Sequence, residues 1–149
     1  MLAILAERAA GQPYHDLVHE YVCQPAGLVD TAFLRNDESH ERLAEHYLTE
    51  AGLRNNVLHL TVAGVGDGGI SSTAQDLHAF WQALFAGRIV TSDLVAQFTK
   101  VRTDRAAEAM AYGLGFWLEQ GGPRCSCRAM TQACRSAAST IRTQGSPPR

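Results

Sequence analysis

Lysine is almost missing from these 149 residues: Lys100 is the only one, and every other basic residue is an arginine. Three places before it stands Gln97, so no catalytic device that sets a serine one helical turn ahead of a lysine can be built within the chain. Long apolar runs are missing as well. Nothing approaches the roughly 20 consecutive apolar residues of a membrane-spanning helix. The opening run from Met1 to Ala6 meets Glu7 and Arg8 before it can act as a signal-peptide core, so no export signal is legible and the cytoplasm is the default compartment. An excess of charge is lacking too: 13 basic against 15 acidic residues leave a net charge of −2, which offers no electrostatic case for nucleic acid or an anionic membrane. Neither composition nor charge pattern speaks for an oligomeric state.

The last stretch lacks most of all. From Pro123 to Arg149 there is no Asp, Glu, Lys, Phe, Trp, Tyr or Leu, while arginine recurs at 124, 128, 135, 142 and 149. Such a segment has little apolar area to set against the roughly 1–2 kcal/mol of backbone entropy that each ordered residue costs. The chain is therefore expected to divide near Gly121, with residues 1–121 folded and residues 122–149 a disordered basic tail.

What is present in the first part is helical periodicity. Hydrophobic residues make up 46% of the chain, enough for one domain with a core. Residues 1–10 read as an Ala-rich helix closed by Gly11, followed from Pro13 by a second with Tyr14, Leu17, Val18, Tyr21 and Val22 on its buried face and Pro25 and Gly27 at its end. Residues 28–67 carry little regular pattern beyond short extended pieces such as 57–62. After the glycine turn Gly66-Asp67-Gly68-Gly69, Ser72 or Thr73 can cap a helix, with Gln75 or Asp76 as the reciprocal partner. Leu77, Phe80, Trp81, Leu84 and Phe85 then define a core face, and Gly87 is placed as the left-handed stop. A further helix is expected from Ser92 to about Val101, and Tyr112–Leu118 reads as one strand with close neighbours at its glycines.

Taken in order, four stretches carry a resemblance. They are Leu5-Ala-Glu-Arg-Ala-Ala-Gly-Gln-Pro-Tyr14, Cys23-Gln-Pro-Ala-Gly-Leu-Val-Asp-Thr31, Gly68-Gly-Ile-Ser-Ser-Thr-Ala-Gln-Asp-Leu77 and Tyr112-Gly-Leu-Gly115. Together they resemble the serine β-lactamase-like family in its broad sense: class C β-lactamases, D-alanyl-D-alanine carboxypeptidases and related esterases. The resemblance implies an α+β fold, mainly helical as it stands: part of the β-lactamase/transpeptidase-like fold without most of its sheet. It also implies hydrolysis of an ester, amide or lactam through an acyl-enzyme, with no cofactor.

The family's chemistry uses a Ser-x-x-Lys pair, a Tyr-x-Asn loop and a Lys-Thr-Gly or His-x-Gly strand. None occurs here. Tyr14, Tyr21, Tyr47 and Tyr112 are followed two places later by Asp16, Cys23, Thr49 and Leu114. The expectation is thus a truncated family member, inactive alone and without catalytic residues. Asp67, Gly68 and Gly69 are the only positions that the resemblance places beside the substrate cleft. The alternatives are a non-catalytic binding module and one half of a split enzyme completed by a separately encoded N-terminal half.

The tail bears on this reading. With permitted codons, the stretch from Arg128 to Gly145 can be read two nucleotides out of frame as Gly-His-Asp-Ala-Gly-Val-Ser-Phe-Arg-Ser-Val-His-Asp-Pro, which resembles the family's pocket strand and the strand after it. A change of reading frame near Gly121 is the expectation.

Other chemistry is outweighed by plainer readings. His15 and His19 lie one turn apart with Asp16 between, but no third zinc ligand is placed, and they fall on the polar flank of their helix. Cys125, Cys127 and Cys134 fit no four-ligand pattern, so no metal site is expected there. Cys23 reads as a small core residue. The turn at 66–69 lacks the Gly-Lys-Ser/Thr ending of a phosphate loop, and turn chemistry ahead of a capped helix accounts for it.

Overall fold

The computed structural model describes residues 1–44, 61–105, 110–119, 124–127 and 139–142. The extended piece at 57–62 falls mostly outside them. Helix α1 spans Leu2–Ala10, α2 Tyr14–Val18, α3 Gln24–Ala26, α4 Ala74–Phe85 and α5 Ser92–Phe98. Five short strands follow: β1 Thr103–Arg105, β2 Met110–Tyr112, β3 Trp117–Glu119, β4 Arg124–Cys127 and β5 Ser139–Arg142. They form one antiparallel sheet in the order β1-β2-β3-β4-β5. Helical residues outnumber strand residues, as the mainly helical α+β reading expects. No helix among the described residues is long and apolar enough to cross a membrane.

The core lies where α4 and α5 meet the β2–β3 hairpin. Trp81, Leu84, Val95, Ala111 and Leu118 are buried together, with Phe80, Phe85 and Phe116 packed against them. The Trp81 ring stacks on Phe85 at 5.8 Å and meets Phe116 at the same centroid distance. Burial of large side chains contributes roughly 1.5–3 kcal/mol each, more than the helix caps supply. The caps are nonetheless well made. Thr73 accepts the backbone N–H of Asp76, which decides between the two capping hydroxyls. At the far end Gly87 has φ 75° and donates to the Leu84 carbonyl while Arg88 donates to that of Ala83, the paired bonds of a Schellman stop.

Four details differ from the sequence reading. Between α2 and α3, His19–Cys23 is a π-helical turn in which Gln24 donates to His19, five residues back. Pro25, which has no N–H to give, follows it inside the last turn rather than ending the helix. The wider turn rotates the face that follows, so Tyr21, expected in the core, is 57% exposed, while Cys23 and Ala26 are buried. Leu77 is 43% exposed because the first turn of α4 is anchored by polar bonds from Asp76 rather than by its apolar side chain. Tyr112–Leu118 is not one strand but a hairpin: Gly113 donates to the Phe116 carbonyl, and Gly115 takes φ 83°. A Cβ at Gly113 would overlap the Phe98 carbonyl, so the close neighbour expected at these glycines is there.

The fourth detail concerns residues 122–149, expected to be disordered throughout. β4 and β5 lie within this stretch, in register from Trp117↔Ser126 through Cys127↔Ser139. Ladder hydrogen bonds are made by the backbone, so a segment poor in apolar side chains can still extend an open sheet edge.

Candidate functional site

The glycine turn is built by two backbone segments that nearly touch. Val65 and Gly68 exchange both their hydrogen bonds, at 2.9 and 3.1 Å, which closes the turn around Gly66 and Asp67. Gly69 has φ 88°, and a Cβ on either Gly64 or Gly69 would run into the other residue's backbone. No side chain fits at this crossing, which is why glycine stands at both positions.

The turn is held from both sides. On one side Ala32 and Ser71 exchange backbone hydrogen bonds, and Asn36 donates to the Val62 carbonyl. On the other, His15 Nε2–H donates to the Gly64 carbonyl at 2.7 Å, and its ring stacks on Phe33 with centroids 4.2 Å apart. Because a carbonyl only accepts, the proton sits on Nε2. Glu7 supports this arrangement by accepting the Tyr14 N–H at 2.8 Å, so a side chain of α1 satisfies the free amide at the start of α2.

Between α1, the start of α2 and the turn lies a cavity of about 600 Å³, lined by Ile4, Glu7, Tyr14, His15, Gly66 and Asp67 among others. Asp67 is therefore on a cavity wall, whereas Gly68 and Gly69 form the turn behind it. Among the described residues no three His, Cys, Asp or Glu side chains converge as a metal-binding group. His15 spends its Nε2 on the Gly64 carbonyl.

A second cavity, of about 530 Å³, adjoins the start of α4, with Thr31, His40, Arg42, Ser71, Ser72 and Thr73 in its wall. Beneath it is a chain of polar contacts centred on Asp76, which is 3% exposed. Asp76 Oδ2 accepts the Asp30 N–H at 2.8 Å and the Thr31 hydroxyl at 2.7 Å. With that proton given to Asp76, Thr31 Oγ1 accepts from Ser72 Oγ at 2.8 Å. Ser72 thus faces a hydroxyl that is itself donating, not a base able to take its proton, and the contacts act as a latch between segment 30–31 and α4.

Charges around the latch are shifted in consistent directions. Arg42 makes two hydrogen bonds to the Asp30 carboxylate and holds it below the usual carboxylate range. Burial pushes the Cys23 thiol up, and the negative charge of Asp76 adds to the effect. Gln97 lies on α5 and Lys100 just beyond it, both exposed, with no serine at the position a Ser-x-x-Lys pair requires.

Sequence reasoning missed His15 and Asp76 as structural pins. The partners are Gly64, 49 residues from His15, and Thr31, 45 residues from Asp76, distances at which periodicity carries no signal.

Comparison with known proteins bears on this geometry. The family model described as Beta-lactamase matches residues 1–145. Penicillin-binding protein 4* of Bacillus subtilis (strain 168) is 28% identical over 137 residues, covering 83% of this chain and 30% of the relative. The D-alanyl-D-alanine-carboxypeptidase/endopeptidase AmpH of Escherichia coli (strain K12) is 32% identical over 130 residues, covering 78% and 32%. A penicillin-binding protein from Bacillus halodurans superposes with a TM-score of 0.76 at 24% identity, over 84% of this chain and 40% of that one. The chain thus spans about a third of the length of the curated relatives it matches.

Proposed function

The chain belongs to the β-lactamase family of serine hydrolases, and from that premise we propose that its 149 residues supply scaffold and one cleft wall of a hydrolase acting on an ester, amide or lactam bond, without forming an acyl-enzyme themselves. The observation that carries this reading is the single lysine: with Gln97 three residues before Lys100, the serine-lysine pair of the family has no place within the chain. Ser72 is no substitute, since its hydroxyl leads through Thr31 to a buried carboxylate already engaged by two donors. Asp67 on the wall of the first cavity, with Gly68 and Gly69 shaping the turn behind it, is the part of the substrate cleft this reading assigns to the chain.

The test is direct. Purified chain incubated with a fluorescent penicillin and with an activated ester gives no covalent label and no turnover above buffer; stoichiometric acylation overturns the proposal.

The family division of the chain is read in the same way. The family model runs on through residue 145, and the boundary near residue 121 rests on composition alone: the stretch from Pro123 onward is what supports a change of reading frame near Gly121. The coding DNA decides it: an alternative frame without the Gly-His-Asp-Ala-Gly peptide, or with an earlier stop, refutes it.

A further inference from the structure

Asp67 is followed by glycine, and no other aspartate or asparagine in the chain is. The remaining six aspartates precede Leu, Thr, Glu or Arg, and the three asparagines precede Asp, Asn and Val. The surroundings of Asp67 set it apart as well. With Gly66 it forms the tip of the turn that Val65 and Gly68 close, and it is exposed there. Its carboxylate has no hydrogen bond or ion pair among the described residues. Asp30, Asp37 and Asp76, by contrast, are held by Arg42, Arg35 and the Thr31 hydroxyl. A Cβ at Gly68 would meet nothing within 4 Å, and the glycine has none to shield its own nitrogen.

These are the conditions for succinimide chemistry, in which a backbone nitrogen attacks the side chain that precedes it. The Gly68 nitrogen adds to the Asp67 carboxyl carbon and gives up its proton, the protonated carboxyl loses its hydroxyl, and water leaves as the cyclic imide closes. Water then opens the imide at one of two bonds. Breaking the bond from the nitrogen to Cγ restores aspartate; breaking the bond from the nitrogen to the Asp67 main-chain carbonyl carbon leaves the chain running through Cβ and Cγ, an isoaspartate. The sum is an isomerisation whose only co-reactant is solvent. A side chain on the following residue crowds the attack, and the glycines at 66 and 68 give the backbone on either side of Asp67 the freedom to reach the ring. What opposes the reaction is the bond from the Gly68 N–H to the Val65 carbonyl, at 3.1 Å the longer of the pair that closes the turn. That bond lies on an exposed turn, a kind of structure that opens locally at low cost.

We propose that Asp67 is a site of spontaneous isoaspartate formation, and that the change opens the glycine turn and draws its carboxylate back from the cavity. An isoaspartate adds one carbon to the main chain, and the turn has no room for it. Gly64 and Gly69 already cross in backbone contact, and Gly66 lies so close to Ala3 that a Cβ on the glycine would reach the Ala3 methyl at 2.5 Å. The longer chain is therefore taken up by parting the two bonds between Val65 and Gly68. The carboxylate then hangs directly on the Asp67 Cα, one methylene shorter than the side chain that stands on the cavity wall. The isomerisation itself depends on the turn alone; its meaning as damage to a substrate cleft rests on the function proposed above.

The experiment incubates the full chain for weeks at physiological temperature in heavy-oxygen water, which marks every imide that has been hydrolysed, and then locates isoaspartate in a digest by electron-transfer fragmentation. The fragment with Asp67 should take up the label and carry isoaspartate, and the fragments with Asp16, Asp30 and Asp93 should not. Gly68→Val places a β-branched side chain in the open space beside the nitrogen and should slow the reaction about tenfold or more. Gly68→Ala, slowed to a smaller degree, serves if circular dichroism shows that valine disturbs the fold. Asp67→Asn, which releases ammonia in place of water, should react faster than the parent. In the isoaspartate fraction, separated by ion exchange, the Val65 and Gly68 amides should exchange faster than in the unreacted chain. Absence of label at Asp67, equal label at the other aspartates, a rate unaffected by both Gly68 variants, or unchanged exchange at Val65 and Gly68 would each overturn the proposal. Acylation of the chain by a penicillin would instead sink the proposed function and leave these measurements standing.

Discussion

Helices α1 and α4 both have the apolar spacing of amphipathic helices, yet they meet opposite ends. In α4 the stripe is covered: Trp81 is 1% exposed, and Leu84 is buried with it against α5 and the β2–β3 hairpin. In α1 the large apolar side chains are open: Leu2 is 83% exposed, Ile4 and Leu5 are more than half exposed and no residue of the helix is buried, and the side turned to the molecule is the one with Ala3 and Glu7. The difference teaches that periodicity reports a face that needs a partner but says nothing of whether the partner is at hand. The polar anchors follow the same division. The first turn of α4 is tied down by the Asp76 latch, whereas α1 touches its neighbours through a carboxylate and a methyl group.

Truncating one side chain on each helix tests the comparison most severely. Trp81→Ala removes the largest fully buried side chain among the described residues and should cost about 3–5 kcal/mol, whereas Leu2→Ala should stay within about 0.5 kcal/mol of the parent. Denaturant unfolding followed by circular dichroism measures both, and equal costs would erase the contrast. Next in size is the latch. Asp76→Ala leaves the Asp30 N–H and the Thr31 hydroxyl without their acceptor and should destabilise by about 1–3 kcal/mol in the same titration. A neutral result would mean that segment 30–31 is held by other contacts. Thr73→Ala, which removes the cap but spares the core, is expected to cost about 1 kcal/mol, seen as faster amide exchange in the first turn of α4.

The smallest effect concerns pH. Asp30 is held below the ordinary carboxylate range by Arg42, so the pair stabilises the fold above the unfolded carboxyl value and loses that contribution as pH falls through the lowered folded value. In Arg42→Ala that acid-side loss should flatten, and it should shrink in the parent at high salt because both partners reach solvent. An unchanged acid limb in the variant would remove Asp30 from the account.

Much of this was legible in the residues. The α4 core face, the Gly87 stop, the helix closed by Gly11 and the small buried Cys23 all follow from local rules, and Thr73 was one of two caps those rules allowed. Family membership was legible from the order of four short stretches. The misplaced features share one cause. Tyr21 turned outward through a π turn, Leu77 was displaced by the polar anchoring of Asp76, and β4 and β5 formed on a backbone ladder that side-chain composition does not encode. Each depends on what a neighbouring segment offers. The candidate site was legible only at its glycines. His15 appeared as one of a histidine pair, and nothing local marked it as the residue that pins Gly64.

By itself the sequence determined where the chain turns, which helix faces are apolar, and that no serine-lysine pair exists in these 149 residues, because each is a property of residues within a few positions of one another. Only the tertiary structure decided that Asp76 latches onto Thr31, that His15 holds the glycine turn beside a cavity, and that α1 turns its leucines outward. Those outcomes are contacts between residues far apart in the chain, where the free energy of a side chain is set by whatever else arrives beside it.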